Sequence, residues 1–153
     1  MPSPTLALTV LTTLSPLAHA LGRAIVTNQC DAPIYLWSVG STISNATTLP
    51  KDSSYSETFH TDPVSGGVAL KITAAENGLW TANASQTIFA YALDASQSTV
   101  WYDLSDLFGD GFAGRTLKVT PSDGACEAIV WGAGRMPAGE GGSQFAELEP
   151  VWE

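Results

Sequence analysis

Three aspartates in one short segment are the strongest candidates for chemistry in this sequence. Asp103, Asp106 and Asp110 fall within eight residues, directly after Trp101 and Tyr102. Carboxylates spaced this way can bind a cation, orient sugar hydroxyls or supply acid and base groups. Their spacing lacks the alternating ligands and the final Glu of a calcium-binding loop. The alternative is a solvated loop whose aspartates cap turns, and the spacing leaves both interpretations open.

Other catalytic signatures are absent from the sequence. His60 is the single histidine after position 20, and no nucleophile-elbow or His-Glu-x-x-His motif accompanies it. We therefore predict a surface position for His60, no hydrolytic triad, no metal site and no cofactor. Glycoside hydrolysis needs two carboxyl groups at a defined separation. Glu57 or Glu76, together with the aspartates, keeps that reaction open.

The tryptophans divide into two groups by their sequence context. Trp37 and Trp131 lie inside strand-like runs, and we expect them in the core. Trp80 follows an Asn-Gly turn signal and Trp101 precedes the aspartates, so these two are the better surface candidates. Exposed aromatic rings of this kind can stack on the faces of sugars.

The elements that must position these residues are short strands. Eight apolar runs rich in β-branched and aromatic residues are separated by turn residues. One of them alternates cleanly, with Val68, Leu70 and Ile72 on one face. This pattern predicts an all-β, antiparallel β-sandwich. The runs are Ala24–Thr27, Ile34–Val39, Tyr55–Phe59, Val68–Thr73, Thr87–Leu93, Val100–Asp103, Leu117–Thr120 and Ala128–Trp131.

The chain of 153 residues is long enough for one domain, flanked by two segments of different composition. Residues 1–20 carry no charged side chain, hold a short apolar run and end in Ala-His-Ala. This predicts a secretory signal peptide over 1–20. We expect the β-sandwich domain to cover 21–132, and a flexible, acidic, Gly-rich tail to cover 133–153.

The charge balance and hydropathy exclude two classes of partner. The formal net charge is −9 and the six Lys and Arg residues are scattered, whereas nucleic-acid binding needs clustered bases. No stretch reaches the roughly 20 apolar residues of a membrane span. We therefore predict a secreted monomer, released from the cell or associated with its wall.

Secretion also determines how the two cysteines and two sequons are interpreted. Cys30 and Cys126 flank nearly the whole predicted domain, and in an oxidising compartment they are expected to form one N-to-C disulfide. The alternative is a pair of free buried thiols. The sequons at Asn45 and Asn83 predict N-glycosylation.

Several segments resemble a known family. Ala-Ile-Val-Thr-Asn-Gln-Cys at 24–30 is similar to the opening strand of thaumatin-like proteins, with its Asn-x-Cys. Tyr-Asp-Leu-Ser-Asp at 102–106 resembles their Asp-x-Ser strand. The segments 66–72, 87–91 and 101–114 look closest to the short fungal branch, the Bys1 family, named for a yeast-phase-specific protein of Blastomyces. The resemblance covers Ala24 to Trp131.

This resemblance implies a thaumatin-like β-sandwich at the fungal surface or cell wall. Larger plant relatives carry an acidic cleft, and some bind or hydrolyse β-1,3-glucan. Asp103 matches a cleft aspartate, and Lys71 lies near the position of a cleft arginine. The cleft Glu corresponds to Ala90, which can neither donate nor accept a proton, so catalysis by that route is not expected.

Three functional hypotheses follow. The first is a non-catalytic surface protein that binds cell-wall polysaccharide such as β-glucan. The second is a weak β-1,3-glucanase that uses Asp103 with another acid. The third is an effector or antigen that contacts host proteins. For the first, the candidate ligand-binding residues are Lys71, Trp101, Tyr102, Asp103, Asp106 and Asp110.

Overall fold

A computed structural model describes residues 22–94, 96, 99–137 and 146–148 of the chain, and these residues are almost entirely strands and turns. The predicted all-β fold is confirmed. One 3₁₀ turn, Gly78–Trp80, lies between the fifth and sixth strands. The strands are β1 (Arg23–Thr27), β2 (Ile34–Val39), β3 (Thr47–Leu49), β4 (Ser54–Thr58), β5 (Val68–Thr73), β6 (Gln86–Asp94), β7 (Thr99–Leu107), β8 (Leu117–Val119), β9 (Ile129–Trp131) and β10 (Ala146–Leu148).

The strands form one large antiparallel sheet and two small ones. The large sheet has six strands in the order β10-β7-β6-β5-β2-β3. The pairs β1-β4 and β8-β9 form separate two-stranded sheets, also antiparallel. A short connection joins β6 to β7, as antiparallel pairing allows, whereas β2 and β5 are neighbours in the sheet but are separated in the chain by β3 and β4.

A single core lies on one side of the six-stranded sheet, which we call its inner face. Val68, Leu70 and Ile72 of β5 point into this core, as their alternation predicted. Ala24 of β1 and Ile129 of β9 belong to the same buried cluster. Both small sheets therefore pack against the inner face, and burial of this shared apolar surface is the main force holding the layers together. We call the opposite side of the six-stranded sheet its outer face.

Strand β7 is longer than the sequence predicted. The expected run ended at Asp103, whereas β7 continues to Leu107 and pairs along its whole length with the nine residues of β6. The pairing partner extends the strand because each added residue completes backbone hydrogen bonds with β6. Asp106 therefore lies within a strand rather than in a loop after it, and Asp103, expected at the end of the strand, lies in its middle.

All four assigned tryptophans have the expected exposure. Trp37 and Trp131 are buried, whereas Trp80 and Trp101 are 66% and 45% exposed. Trp37 nevertheless lies outside the main core cluster. Its cross-strand partner is Lys71, so Trp37 is buried on the outer face of the sheet.

The predicted disulfide between Cys30 and Cys126 is not present in the structure. The two residues lie in connecting segments next to different strands of the large sheet, Cys30 near β3 and Cys126 near β7. Cys30 follows β1, and its N–H donates to Asn28, whose side-chain amide donates to Leu49 on β3. Cys126 lies near the hydroxyl of Tyr102 on β7. The sequence placed both cysteines at ends of the domain, but strand order keeps those ends apart.

The predicted terminal segments fall largely outside the described residues. The signal peptide, 1–20, lies outside them entirely, as do positions 138–145 and 149–153 of the predicted tail. Within that tail, Ala146–Leu148 forms β10 and pairs with Val100–Tyr102 of β7. No helix among the described residues has the length and hydropathy needed to cross a membrane.

Candidate functional site

The centre of the outer face carries small side chains beside one carboxylate. Cross-strand pairing places one residue from each of four adjacent strands in a single row, namely Val39, Ala69, Ala90 and Asp103. The neighbouring row pairs Ala92 with Trp101. Because alanine projects so little from the sheet, these positions leave a depression between larger neighbours.

This depression is an open groove of about 650 Å³, which we call the outer-face groove. Trp101 and Asp103 line it from β7, and Gly40 and the turn Ser65–Gly67 line it from the opposite side. Gly66 has φ +78°, a conformation that favours glycine and lets the turn close tightly. The groove thus combines an apolar floor, an exposed aromatic ring and one acid, a common composition for small-molecule sites.

Asp103 is the one carboxylic acid among the described residues that line the groove. It is half-buried, two positions after Trp101 on the same strand, so both residues belong to the outer face. Ala90, at the position matched to the cleft Glu, lies directly opposite Asp103. The structure therefore brings together the two positions that the family resemblance paired, and one of them carries no acid.

Lys71 also belongs to the outer face, in the next row along β5. Its cross-strand partners are Trp37 and Ile88, and it is half-buried. It does not line the groove.

Tyr102 lies on the inner face and has a structural role. It is buried, and its hydroxyl donates a 2.6 Å hydrogen bond to the backbone carbonyl of Glu127. Burial raises the pKa of Tyr102, with further contributions from Cys126 and Glu127. Tyr102 is among the residues that line the groove, but its side chain lies on the inner face and ties β7 to the segment before β9.

The remaining two aspartates of the predicted cluster do not line the groove. Asp106 pairs in register with Thr87 and accepts a 2.7 Å hydrogen bond from its hydroxyl. Burial raises the pKa of Asp106, as does the nearby charge of Asp110. Asp110 follows the strand and forms an exposed 3.0 Å ion pair with Arg135. The three aspartates are neighbours in sequence, but they do not form one site.

The acids proposed as catalytic partners of Asp103 lie elsewhere. Glu57 accepts hydrogen bonds from the hydroxyls of Tyr55 and Tyr91, and Tyr91 belongs to the inner face. Glu76 is exposed between β5 and β6, and neither acid lines the groove. In the part of the chain that the structure describes, no group of three His, Cys, Asp or Glu residues could hold a metal ion.

Asp62 is a residue near the groove that the sequence analysis missed. One carboxylate oxygen accepts from the backbone N–H groups of Val64 (3.0 Å) and Ser65 (2.8 Å) and from the Ser65 hydroxyl (2.9 Å). The other accepts from the N–H (2.9 Å) and hydroxyl (2.8 Å) of Ser41. These donors, led by the Ser65 and Ser41 N–H groups, hold the pKa of Asp62 well below its usual range. The signal was Asp-Pro-Val-Ser at 62–65, because Asp before Pro often caps a turn.

The two predicted glycosylation sites are exposed, Asn45 in a connecting segment and Asn83 in a turn. Asn45 precedes β3, and Asn83, with φ 58°, precedes β6. Asparagine tolerates this left-handed conformation better than most residues. Glycosylation of either residue stays a prediction.

Comparison with known proteins agrees with the resemblance found in the sequence. The family model of Blastomyces yeast-phase-specific protein, Bys1, matches residues 11–148. The chain belongs to the Bys1 family. No solved structure matches the chain.

Two curated relatives of this Bys1 chain are thaumatin-like fungal proteins. An "Antigenic thaumatin-like protein" of Arthroderma benhamiae is 31% identical over 129 residues, which cover 82% of this chain and 63% of the relative. The "Secreted thaumatin-like protein calA" of Emericella nidulans is 26% identical over 122 residues, covering 78% of this chain and 67% of the relative. The matched region thus spans about two thirds of each relative's length.

Proposed function

We propose that this Bys1 chain is a secreted, non-catalytic protein of the fungal surface or wall that binds β-glucan through the outer-face groove. The single observation that carries the proposal is the exposed ring of Trp101 beside Asp103, above a floor of alanines. The predicted secretion agrees with the name of the calA relative, a "secreted thaumatin-like protein".

The groove chemistry suits a sugar ring. A pyranose has an apolar face of C–H groups that packs on an indole ring, while its edge carries hydroxyls. A carboxylate such as Asp103 accepts hydrogen bonds from those hydroxyls, and charge-assisted bonds are stronger than neutral ones. The alanine floor lets the apolar face of the sugar ring approach the sheet closely.

Absence of catalysis is supported by the composition of the groove. Glycoside hydrolysis requires a second carboxyl group about 5 to 9.5 Å from the first. Asp103 is the one acid among the described groove residues, and Ala90 stands opposite it. Glu57 cannot serve as the second acid of a glucanase site with Asp103, because it contacts Tyr91 on the inner face of the sheet and does not line the groove.

Retention on insoluble β-1,3-glucan tests the binding. We expect the wild-type domain to be retained, and Trp101→Ala or Asp103→Asn to weaken binding about tenfold, equivalent to about 1.4 kcal/mol. Trp80→Ala is the matched control, because Trp80 is more exposed than Trp101 but does not line the groove. Equal retention of all four proteins, or none by wild type, would refute the proposal. Reducing-sugar release from soluble β-1,3-glucan by wild type, lost in Asp103→Asn, would instead support the glucanase.

A second candidate function is recognition by host proteins, supported by the word "antigenic" in the name of the Arthroderma relative. Host serum antibodies are the measurable partners. Binding of the purified, deglycosylated domain by such antibodies, together with no retention on glucan by the wild-type domain, would favour this function over the first.

A further inference from the structure

We propose that Asp62 is a positioning residue that holds one wall of the outer-face groove in its ligand-binding conformation without contacting the ligand. The inference rests on the proposed function, because it concerns the same groove. Asp62 is buried and is not among the residues that line the groove.

The carboxylate of Asp62 joins two separate segments of the wall. Oδ2 binds the N–H and hydroxyl of Ser41, next to groove residue Gly40. Oδ1 binds the N–H groups of Val64 and Ser65 and the Ser65 hydroxyl, at the start of the turn that lines the groove. The Ser65 hydroxyl also lies 2.8 Å from the carbonyl oxygen of Gly67, and its one proton is shared between that oxygen and Oδ1, so the same side chain contacts a second point of the turn.

Close packing shows that the first segment is fitted to this carboxylate. A Cβ added at Gly40 would lie 2.5 Å from Asp62 Oδ2 and 3.0 Å from its Cγ. Any side chain at position 40 would therefore displace either the Gly40–Ser41 backbone or the carboxylate. The position of Gly40 in the groove wall and the position of the Asp62 carboxylate therefore depend on each other.

Only an ionised carboxylate satisfies both segments. It is an acceptor at both oxygens, whereas the amide of asparagine has one acceptor oxygen and one donor nitrogen. In Asp62→Asn the NH₂ group therefore faces the donors of either Ser41 or the Val64–Ser65 turn, and those donors have no acceptor. Buried donors left without an acceptor are costly, so one of the two segments should detach.

Loss of this support should reduce the fraction of molecules whose groove is ready to bind. The apparent dissociation constant then rises in inverse proportion to that fraction. Because the ligand contacts at Trp101 and Asp103 are intact, the association rate should fall while the dissociation rate changes little. Trp101→Ala should instead raise the dissociation rate and change the association rate little, since it removes a contact from the bound state.

The test compares Asp62→Asn with Asp123→Asn, a matched control. Asp123 also caps a turn, accepting from the Ala125 N–H at 2.8 Å, but lies between β8 and β9, away from the groove. Binding kinetics are measured with a β-1,3-linked glucose hexasaccharide, and amide hydrogen exchange is followed at Ser41, Val64 and Ser65. We expect Asp62→Asn to lower the association rate constant about tenfold and to speed exchange at these amides, with no change in Asp123→Asn.

Gly40→Ala provides a second perturbation that keeps the charge, and it is informative should Asp62→Asn fail to fold. It should give the same pattern of faster exchange and slower association. Unchanged exchange in a folded Asp62→Asn or Gly40→Ala variant overturns the positioning role, whether or not the hexasaccharide binds. Faster exchange with unchanged association overturns the link to binding. If the wild type does not bind, the proposed function fails, and exchange alone decides whether Asp62 holds the wall.

Discussion

At the scale of single residues, position along a strand decides which acids can share a site. Trp101 and Asp103 occupy alternate positions of β7 and face outward together, whereas Tyr102 and Asp106 have the opposite parity. Asp103 is therefore separated from Asp106 by the sheet itself, although three positions separate them in sequence. The acidic segment contributes one carboxylate to the groove.

Glu57 provides a test at the same scale. Burial, the hydrogen bond from the hydroxyl to Glu57 and the Glu57 charge raise the pKa of Tyr55 to about 12, and the pKa of Tyr91 is raised further by the same causes. We expect Glu57→Gln to lower both pKa values toward the ordinary 10 without reaching it, because burial persists. Ultraviolet absorbance of tyrosinate during an alkaline titration measures this shift.

The stability effect of these tyrosines has a defined sign. Because their pKa values are higher in the folded than in the unfolded state, their contribution is complete below about pH 10 and is lost as the pH rises. Glu57→Gln should therefore lower the free energy of unfolding at neutral pH by about 1 to 3 kcal/mol and flatten its decline above pH 10. An unchanged tyrosinate titration would contradict the described network.

At the scale of elements, β5 separates the core from the groove. It pairs with β2 on one side and β6 on the other, so its inner face lies at the centre of the large sheet. Its outer face supplies Ala69 to the groove floor. The same strand therefore contributes stability through one face and groove shape through the other.

Substitutions on the two faces of β5 should differ in cost. Leu70 is fully buried, and Leu70→Ala should lower the free energy of unfolding by about 2 to 5 kcal/mol through lost burial and the resulting cavity. Lys71→Ala, one position along, should change it by about 0.5 kcal/mol or less. Denaturant unfolding at equilibrium gives both values, and similar costs would contradict the assignment of the faces.

At the scale of the whole molecule, one shared core joins three sheets, and no covalent bridge supports it in the described residues. Residues of β1, β5 and β9 belong to a single buried cluster. The C-terminal strand β10 extends the large sheet by pairing with β7, the strand that contains Trp101. Stability is therefore expected to depend on apolar burial rather than on a cross-link between the ends of the domain.

Reduction of the oxidised, secreted protein tests this expectation. A disulfide closing a loop of about 100 residues would contribute about 4.7 kcal/mol in the chain-entropy model, or more than about 10 °C in Tm. We expect calorimetry with and without a thiol reductant to give the same Tm. A marked fall on reduction would show that Cys30 and Cys126 are bridged in solution.

The local sequence determined the strands and the family. The alternation of Val68, Leu70 and Ile72 was sufficient for β5 because a pleated strand that is buried on one face imposes a period of two. The segments 66–72, 87–91 and 101–114 were sufficient to indicate the Bys1 family, since each is a local stretch of sequence.

Only the tertiary structure decided which residues share the groove. Whether Asp106 lies in a strand depends on the length of β7, and that length depends on pairing with β6. The face of the sheet on which each aspartate lies could therefore not be assigned from spacing. The role of Asp62 depends on Ser41, 21 positions away, and the position of Cys126 depends on strand order. Contacts between distant segments arise from how whole sheets pack, and no short stretch of sequence specifies them.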